Sequence, residues 1–235
     1  RILKVLVTGA TGFVGGHLCP HLLDAGHKVV AATRKDSVHR LPTAVERICV
    51  GDLTSNTLWR MALTGVDAII HLAARTHVMQ ETEADPYIAY RRINVEASRH
   101  LANEAIILGI KRFVFLSSIK VNGEQSIAKP YTNRDAPAPE DAYGRTKRDA
   151  EETLHRAMKN SCTELVVIRT PLVYGPGVKG NFLKLVKAVA AERILPLGLI
   201  DNRRSLCYVG NLCNALVVAL QHPSAPGYTY LVRDS

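Results

Sequence analysis

The chain has 235 residues, a length that suits one domain or one domain with a small appendage. Hydrophobic residues make up 47% and aromatic residues 6%, which excludes a disordered tail and an aromatic platform for single-stranded nucleic acid. The net charge is +9, but the basic residues are scattered and form no long run. We therefore expect neither a nucleic acid nor a membrane surface as the partner.

The cysteines indicate a reducing compartment. There are five, an odd number, and no Cys-x-x-Cys pair occurs. We expect reduced thiols in a cytoplasmic protein, with no disulfide framework and no metal site. We expect no signal peptide, because Arg1-Ile2-Leu3-Lys4 runs directly into a predicted strand, and the longest apolar stretches are too short to span a bilayer.

Short apolar runs alternate with amphipathic helical segments over the first 170 residues. The predicted strands are Leu3–Thr8, Lys28–Thr33, Arg47–Val50, Asp67–Leu72, Arg112–Ser117 and Leu165–Arg169. The predicted helices between them are Phe13–Ala25, Thr57–Leu63, Pro86–Leu108 and Tyr143–Met158. Strands that alternate with helices and are nearly continuous in Val, Ile and Leu indicate an α/β fold with a doubly wound parallel sheet, the Rossmann arrangement.

The pattern loosens after Thr170, where prolines and glycines divide the chain into loops. Helices are predicted at Phe182–Glu192 and Val209–Gln221, and a strand at Tyr228–Val232. We expect a dinucleotide-binding domain over residues 1–170. Residues 171–235 are expected to be part of a smaller substrate-binding lobe that stops early, with elements that return to the sheet.

A glycine-rich turn follows the first predicted strand and opens the first helix, with the sequence Thr8-Gly9-Ala10-Thr11-Gly12-Phe13-Val14-Gly15. Gly9 would allow a tight turn, Gly12 would let the backbone approach a pyrophosphate, and Gly15 would let the helix pack closely on the strand. The helix N-terminus then offers N–H groups to the anion. The alternative is a glycine-rich turn without a ligand.

The second predicted strand ends in Thr33 and Arg34, with Lys35 beside them. An acidic residue at this position would hold the ribose 2′-OH of NAD, and none is present. Because an arginine binds a 2′-phosphate through two hydrogen bonds, the sequence favours NADP(H) over NAD(H). The alternative, that Arg34 stacks over the adenine, is compatible with either cofactor.

Two further segments end strands near the predicted cofactor site. Asp52-Leu53 follows the third strand, where the carboxylate would face the adenine amino group or would cap the next helix. Leu72-Ala73-Ala74 ends the fourth strand, and its small residues would leave room for the cofactor.

Tyr143 and Lys147 lie four residues apart on a predicted helix and share one face. An ammonium one turn away favours the phenolate and lowers the tyrosine pKa, so that Tyr143 could transfer a proton while a hydride moves at carbon. Ser118 ends the fifth strand, where its hydroxyl could hold the reacting carbonyl oxygen. A Tyr-x-x-x-Lys pair also occurs by chance, and the serine is what distinguishes this one.

These motifs, with His71-Leu72-Ala73-Ala74 and the segment 169–175, resemble the extended short-chain dehydrogenases, also called the NAD-dependent epimerase/dehydratase family. The resemblance covers essentially the whole chain. It implies that Ser118 is the catalytic serine, that Tyr143 is the acid/base, and that Lys147 lowers its pKa and grips the nicotinamide ribose.

The resemblance also implies roles outside this catalytic set. Asn94 matches the structural asparagine of the long helix, and Pro171 would lie beside the nicotinamide. Asn181 and Arg204 would meet the diphosphate of a nucleotide-sugar substrate, although a plain surface arginine is the alternative for Arg204. A homodimer through the long helices would be usual for the family.

Ile119-Lys120 stands where the family's dehydratases carry Asp-Glu, which argues against a dehydratase. Arg34 favours a reductase, and the segments Ser117–Gly123 and Gly175–Phe182 resemble bacterial enzymes that reduce UDP-4-keto-6-deoxy-N-acetylhexosamines. The resemblance therefore implies reduction of such a sugar at C4 by NADPH. The alternatives are a UDP-hexose 4-epimerase, a non-catalytic NADP-sensing protein and a nucleic-acid-binding relative. For Lys120 we leave open both contact with the substrate and exposure to solvent.

Overall fold

The computed structural model describes residues 1–34, 41–76, 85–126, 129–194, 198 and 202–234. Within them the strands are β1 (Lys4–Thr8), β2 (Lys28–Thr33), β3 (Glu46–Cys49), β4 (Ala68–His71), β5 (Arg112–Ser118), β6 (Glu164–Thr170), β7 (Leu172–Tyr174), β8 (Leu206–Tyr208) and β9 (Thr229–Leu231). The helices are α1 (Phe13–Asp24), α2 (Arg60–Leu63), α3 (Pro86–Arg91), α4 (Ser98–Ile107), α5 (Ala142–Met158), α6 (Gly180–Ala190) and α7 (Val209–Gln221).

The main sheet contains seven of the described strands, all parallel, in the order β3-β2-β1-β4-β5-β6-β9. The chain winds outward from β1 in one direction to β3 and then in the other direction from β4, so the order reverses between β1 and β4. The last residues of these strands, Thr8 and His71, are direct partners in the ladder. This is the doubly wound Rossmann sheet that the sequence predicts, and ligands of such sheets bind where the order reverses.

Apolar side chains cover both faces of the sheet, as the continuous Val, Ile and Leu runs require. Along β1, Val5 and Val7 pack on one face with Leu18 of α1, whereas Leu6 packs on the other face. The first face is covered by α1 and α7 and the second by α2, α4 and α5, with Trp59 and other large side chains between them. The core therefore fixes the carboxyl ends of the strands from both sides.

The predicted single helix Pro86–Leu108 contains an irregular middle. The side chain of Asp85 accepts a hydrogen bond from the Tyr87 backbone N–H and caps α3. Between α3 and α4, Arg92–Ala97 forms a π-helical turn rather than the predicted α-helix. Such turns are often found at functional sites, and this one contains the buried Asn94.

The region after Thr170 has two parts in the structure. Strands β7 and β8 pair in a separate two-stranded parallel sheet, which the sequence analysis did not predict. By contrast, α7 packs on the main core and β9 pairs with β6, so both return to the main sheet. None of the described helices is both long enough and apolar enough to cross a membrane.

Candidate active site

The glycine-rich turn between β1 and α1 leaves no room for side chains. Gly9 has a φ of +68°, and a Cβ there would lie 2.9 Å from the backbone nitrogen of Ala73. A Cβ at Gly15 would collide with the Gly9 carbonyl oxygen and would lie 2.5 Å from Cα of Ala10. Gly12, at the N-cap of α1, has no side-chain cap, and the first turn contains no acidic residue. The turn thus has the shape and polarity that the predicted dinucleotide pyrophosphate requires.

The predicted adenine side lies at the ends of β2 and β3. Thr33 is buried and donates a hydrogen bond to the Ile48 carbonyl oxygen at 3.4 Å. The guanidinium of Arg34 lies 4.0 Å from the Asp52 carboxylate, and both side chains are largely exposed. Lys35 lies outside the described residues. Asp52 does not cap the following helix, because α2 begins only at Arg60, and that alternative is wrong. Contacts of Arg34, Asp52 and the neighbouring Leu53 with a cofactor stay predictions.

A continuous chain of buried hydrogen bonds starts at the end of β4, where the main chain passes through Leu72, Ala73 and Ala74. The Ala73 N–H donates to Thr8 Oγ1 at 3.2 Å, and Thr8 Oγ1 lies 2.6 Å from Nδ1 of His71. His71 Nε2 lies 2.8 Å from Ser98 Oγ, which donates to the Asn94 carbonyl oxygen. This order of donors is consistent with a neutral His71 protonated on Nε2. Its burial, with a smaller effect of the Lys147 charge, lowers the pKa of His71 to about 3.

His71 is expected to make the protein sensitive to acid. Its pKa of about 3 in the folded state lies below the unfolded value of 6.5, so its contribution to stability is full above pH 6.5 and is lost as the pH falls toward 3. Between pH 7 and pH 4.5 we expect wild type to lose about 2 kcal/mol more unfolding free energy than His71→Gln. Urea unfolding of both proteins at the two pH values measures this difference. Equal losses would show that His71 takes up a proton in the folded protein.

The predicted acid/base pair lies on the inner face of α5. The helix is capped by Asp141, which accepts a hydrogen bond from the Gly144 N–H at 2.6 Å. Lys147 is only 2% exposed, and its Nζ lies 4.0 Å from the centroid of the Phe115 ring on β5. The Tyr143 ring stands edge-on to the Tyr90 ring, with centroids 6.3 Å apart.

The pKa values of this pair differ from the expectation. Burial lowers the pKa of Lys147 to about 7, although the Glu151 carboxylate acts in the opposite direction. Burial, followed by the charges of Asp141 and Tyr90, raises the pKa of Tyr143 to about 12. The predicted lowering of the Tyr143 pKa is therefore wrong for the chain without bound ligands, because desolvation of the phenolate dominates.

The two serines that end β5 are both largely buried, and they differ in the partners of their hydroxyl groups. Ser117 is buried and donates its hydroxyl to the Glu151 carboxylate. Ser118 Oγ accepts a hydrogen bond from the Lys120 N–H at 3.2 Å, which leaves its own hydroxyl proton to donate.

The ammonium of Lys120 is paired with Asp141 at 2.6 Å and with Glu124 at 2.9 Å. In the structure Lys120 therefore supports the start of α5. For this residue the sequence-based alternatives were only contact with the substrate and exposure to solvent.

Asn94 connects the end of β4 to the catalytic helix. Its side-chain oxygen accepts the Arg75 N–H at 2.8 Å, and its amide donates to the Arg75 carbonyl oxygen at 3.1 Å. The same amide lies 3.1 Å from Thr146 Oγ1 on α5. Asn94 thus ties the predicted cofactor loop to the helix that carries Tyr143, in agreement with the structural role that the resemblance implies.

The residues predicted for the substrate lie on the second part of the chain. Pro171 is half-buried directly after β6, next to the end of β5 in the sheet. Asn181 lies in the first turn of α6 and Arg204 lies just before β8, and both are exposed. Neither makes a hydrogen bond or an ion pair with the part of the chain that the structure describes. Their contacts with a substrate stay predictions.

Sequence reasoning assigned no role to two buried polar residues of this region, His71 and Glu151. Glu151 is 4% exposed and follows Lys147 by four residues on the same face of α5. An acidic residue on the apolar face of an amphipathic helix is the signal that could have identified it, since buried carboxylates require partners.

Comparison with known proteins agrees with this geometry. A family model described as the NAD dependent epimerase/dehydratase family matches residues 5–232. A UDP-glucose 4-epimerase of Vibrio cholerae is 40% identical over 233 residues, which are 98% of this chain and 70% of the relative. A 3-beta-hydroxysteroid dehydrogenase of Mycolicibacterium neoaurum is 30% identical over 98% of this chain and 65% of the relative.

A solved UDP-glucuronic acid 4-epimerase from Bacillus cereus, in complex with UDP-glucuronic acid and NAD, superposes with a TM-score of 0.84 at 26% identity. The match covers 99% of this chain and 78% of that chain. The chain spans between 65% and 75% of the length of the curated relatives it matches here. With the parallel sheet and the glycine-rich turn, these matches show that the chain belongs to the NAD-dependent epimerase/dehydratase family of enzymes.

Proposed function

We propose that this chain carries out hydride transfer at C4 of a UDP-linked hexose, and that the net reaction is 4-epimerisation. The observation that supports the proposal is that Ser118 ends β5 and that Lys147, on the same helix as Tyr143, packs on the Phe115 ring of that strand. This is the carboxyl edge of the sheet that also carries the glycine-rich turn. The names of the Vibrio cholerae and Bacillus cereus relatives support the same substrate class.

Each of the three side chains has a defined task in this reaction. The glycine-rich turn between β1 and α1 would hold the pyrophosphate of a nicotinamide dinucleotide, which would supply a hydride acceptor and donor for C4. Ser118 donates its free hydroxyl proton to the C4 oxygen and holds it next to Tyr143, which removes the proton from the C4 hydroxyl and later restores it. Lys147 lies one helical turn from Tyr143 and would grip the nicotinamide ribose, and the ion pair of Lys120 with Asp141 offsets the negative charge that raises the tyrosine pKa.

A second candidate is the NADPH-dependent reduction of a UDP-4-keto-6-deoxy-N-acetylhexosamine. The specific observation in its favour is the end of β2, which carries Arg34 and no carboxylate. The pairing of Arg34 with Asp52 is weak because both side chains are about four-fifths exposed, so the guanidinium is free to meet a 2′-phosphate. The presence of both Tyr143 and Lys147 argues against a non-catalytic NADP-sensing protein.

The two candidates differ in what happens to the cofactor. For the epimerase, incubation with UDP-glucose, UDP-N-acetylglucosamine or UDP-glucuronic acid and a trace of NAD is expected to give the C4 epimer of at least one, with no net change in NADH absorbance. For the reductase, the ketosugar would oxidise NADPH one for one. Chromatography of the sugar nucleotides and nicotinamide fluorescence distinguish these results, and absence of both reactions would contradict the proposal.

The same sample addresses two remaining predictions. Titration with NADPH and NADH measures the predicted preference for NADP(H). The prediction differs from the cofactor of the solved Bacillus cereus relative, which is in complex with NAD. Light scattering measures the predicted homodimer, which would form through the long helices. Neither result alone decides between epimerase and reductase. That decision depends on whether the hydride returns to the sugar or is consumed from NADPH.

A further inference from the structure

A buried ion pair lies one helical turn below Lys147. The Glu151 carboxylate on α5 accepts hydrogen bonds from Arg169 Nε at 3.0 Å and from Arg169 Nη2 at 2.6 Å. The side chains of this pair are 7% exposed for Arg169 and 6% for Glu151. Ser117 donates its hydroxyl to the same carboxylate, and Arg169 also donates to the side chain of Asn122 at 2.9 Å.

The partners of Glu151 belong to the elements that carry the proposed catalytic set. Ser117 precedes Ser118 on β5, and Arg169 lies two residues before Pro171 on β6. Asn122 follows the short turn after Ser118 and holds the Thr132 carbonyl oxygen. A single carboxylate therefore joins the catalytic helix to both neighbouring strands at their carboxyl ends.

On the assumption of the proposed function, we propose that Glu151 is a positioning residue for the reaction. Its carboxylate fixes α5 against the ends of β5 and β6, so that Tyr143 and Lys147 face Ser118, and it places a negative charge one helical turn from Lys147. A buried salt bridge adds little net stability compared with apolar side chains of the same size, so its placement at this position fits a role in the site.

The charge environment of Lys147 makes this role measurable. The groups that the structure shows acting on its side chain are Glu151 on its own helix, the neutral His71 on β4 and the uncharged Phe115 ring on β5. Glu151 is the one carboxylate among them. Its charge opposes the burial that lowers the pKa of Lys147, so removing it should lower that pKa further.

The test compares Glu151→Gln with Glu152→Gln, which removes an exposed carboxylate from the next position of the same helix. The titration of Lys147 is followed by NMR of lysine labelled at its terminal methylene, with Lys147→Met to assign the signal. Glu151→Gln is expected to lower the Lys147 midpoint by about one pH unit, and Glu152→Gln to leave it nearly unchanged. The loss of turnover at alkaline pH should move to lower pH by the same amount in Glu151→Gln alone.

Glu151→Gln leaves Arg169 buried with a weakened partner, and that variant is expected to be strongly destabilised. The double variant Glu151→Gln, Arg169→Met removes both charges, and its Lys147 midpoint is expected between those of wild type and the single variant. Midpoints in both variants equal to that of wild type would overturn the inference. The titration needs no substrate, so it decides the role of Glu151 even if no sugar nucleotide is turned over, which would count against the proposed function alone.

Discussion

Replacing Tyr143 by phenylalanine is expected to lower turnover by about 10²- to 10⁴-fold, because only the transferable proton is lost while the ring keeps its packing against Tyr90. Binding of the dinucleotide should stay close to that of wild type, since the glycine-rich turn is untouched. Steady-state assays with whichever of the three sugar nucleotides wild type converts, together with nicotinamide fluorescence, measure the two effects separately.

Tyr228→Phe is the matched control, because Tyr228 is 59% exposed and lies outside the proposed site. It removes the same hydroxyl from the surface and should leave turnover unchanged. Near-normal turnover of Tyr143→Phe would assign the proton transfer to another group and would remove the chemical basis of the mechanism given above.

Replacing Gly15 by alanine is expected to reduce dinucleotide affinity by at least about 10²-fold and to lower the free energy of unfolding by about 1–3 kcal/mol. The added Cβ would overlap the Gly9 carbonyl oxygen and would lie 2.5 Å from Cα of Ala10. Both contacts are with backbone, so α1 or the turn must shift. Fluorescence titration and urea unfolding provide the two values.

Gly16→Ala is the control, since a Cβ at Gly16 meets no atom within 4 Å. An alanine there should keep affinity and should raise stability slightly, because glycine is a poor residue in a helix. Equal affinity of Gly15→Ala and wild type would mean that the close packing of α1 against the turn is not required for binding the dinucleotide.

Most of the fold could be predicted because the five inner strands of the main sheet, β2, β1, β4, β5 and β6, are buried on both faces and stand out as apolar runs. The strands β7 and β8 were missed because these three-residue strands pair only with each other outside the main sheet, and β7 lies between Pro171 and Gly175. The π-helical turn was missed for a different reason. Side-chain periodicity continues through 92–97, and the extra residue in the turn is visible only from the backbone hydrogen bonds.

The candidate site was predicted unevenly. Tyr143, Lys147 and Ser118 could be proposed from the sequence because spacing on a helix and the end of a strand are visible in it, and their catalytic roles stay predictions. The direction of the Tyr143 pKa was not, since desolvation depends on how deeply α5 packs against the sheet. The partners of Glu151 also could not be deduced, because Ser117 and Arg169 reach it from two strands that are distant in sequence.

The π-helical turn at 92–97 limits how this region can change during evolution. A turn closed by hydrogen bonds between residues i and i+5 holds one residue more than an α-helical turn. A deletion within it would restore a regular helix and would rotate the preceding residues by about 100° relative to α4. Asn94 would then leave the Arg75 backbone, which it now holds at both its N–H and its carbonyl oxygen. Descendants of this chain can therefore vary the other residues of the turn, but Asn94 and the number of residues between Asp85 and Ser98 should resist change.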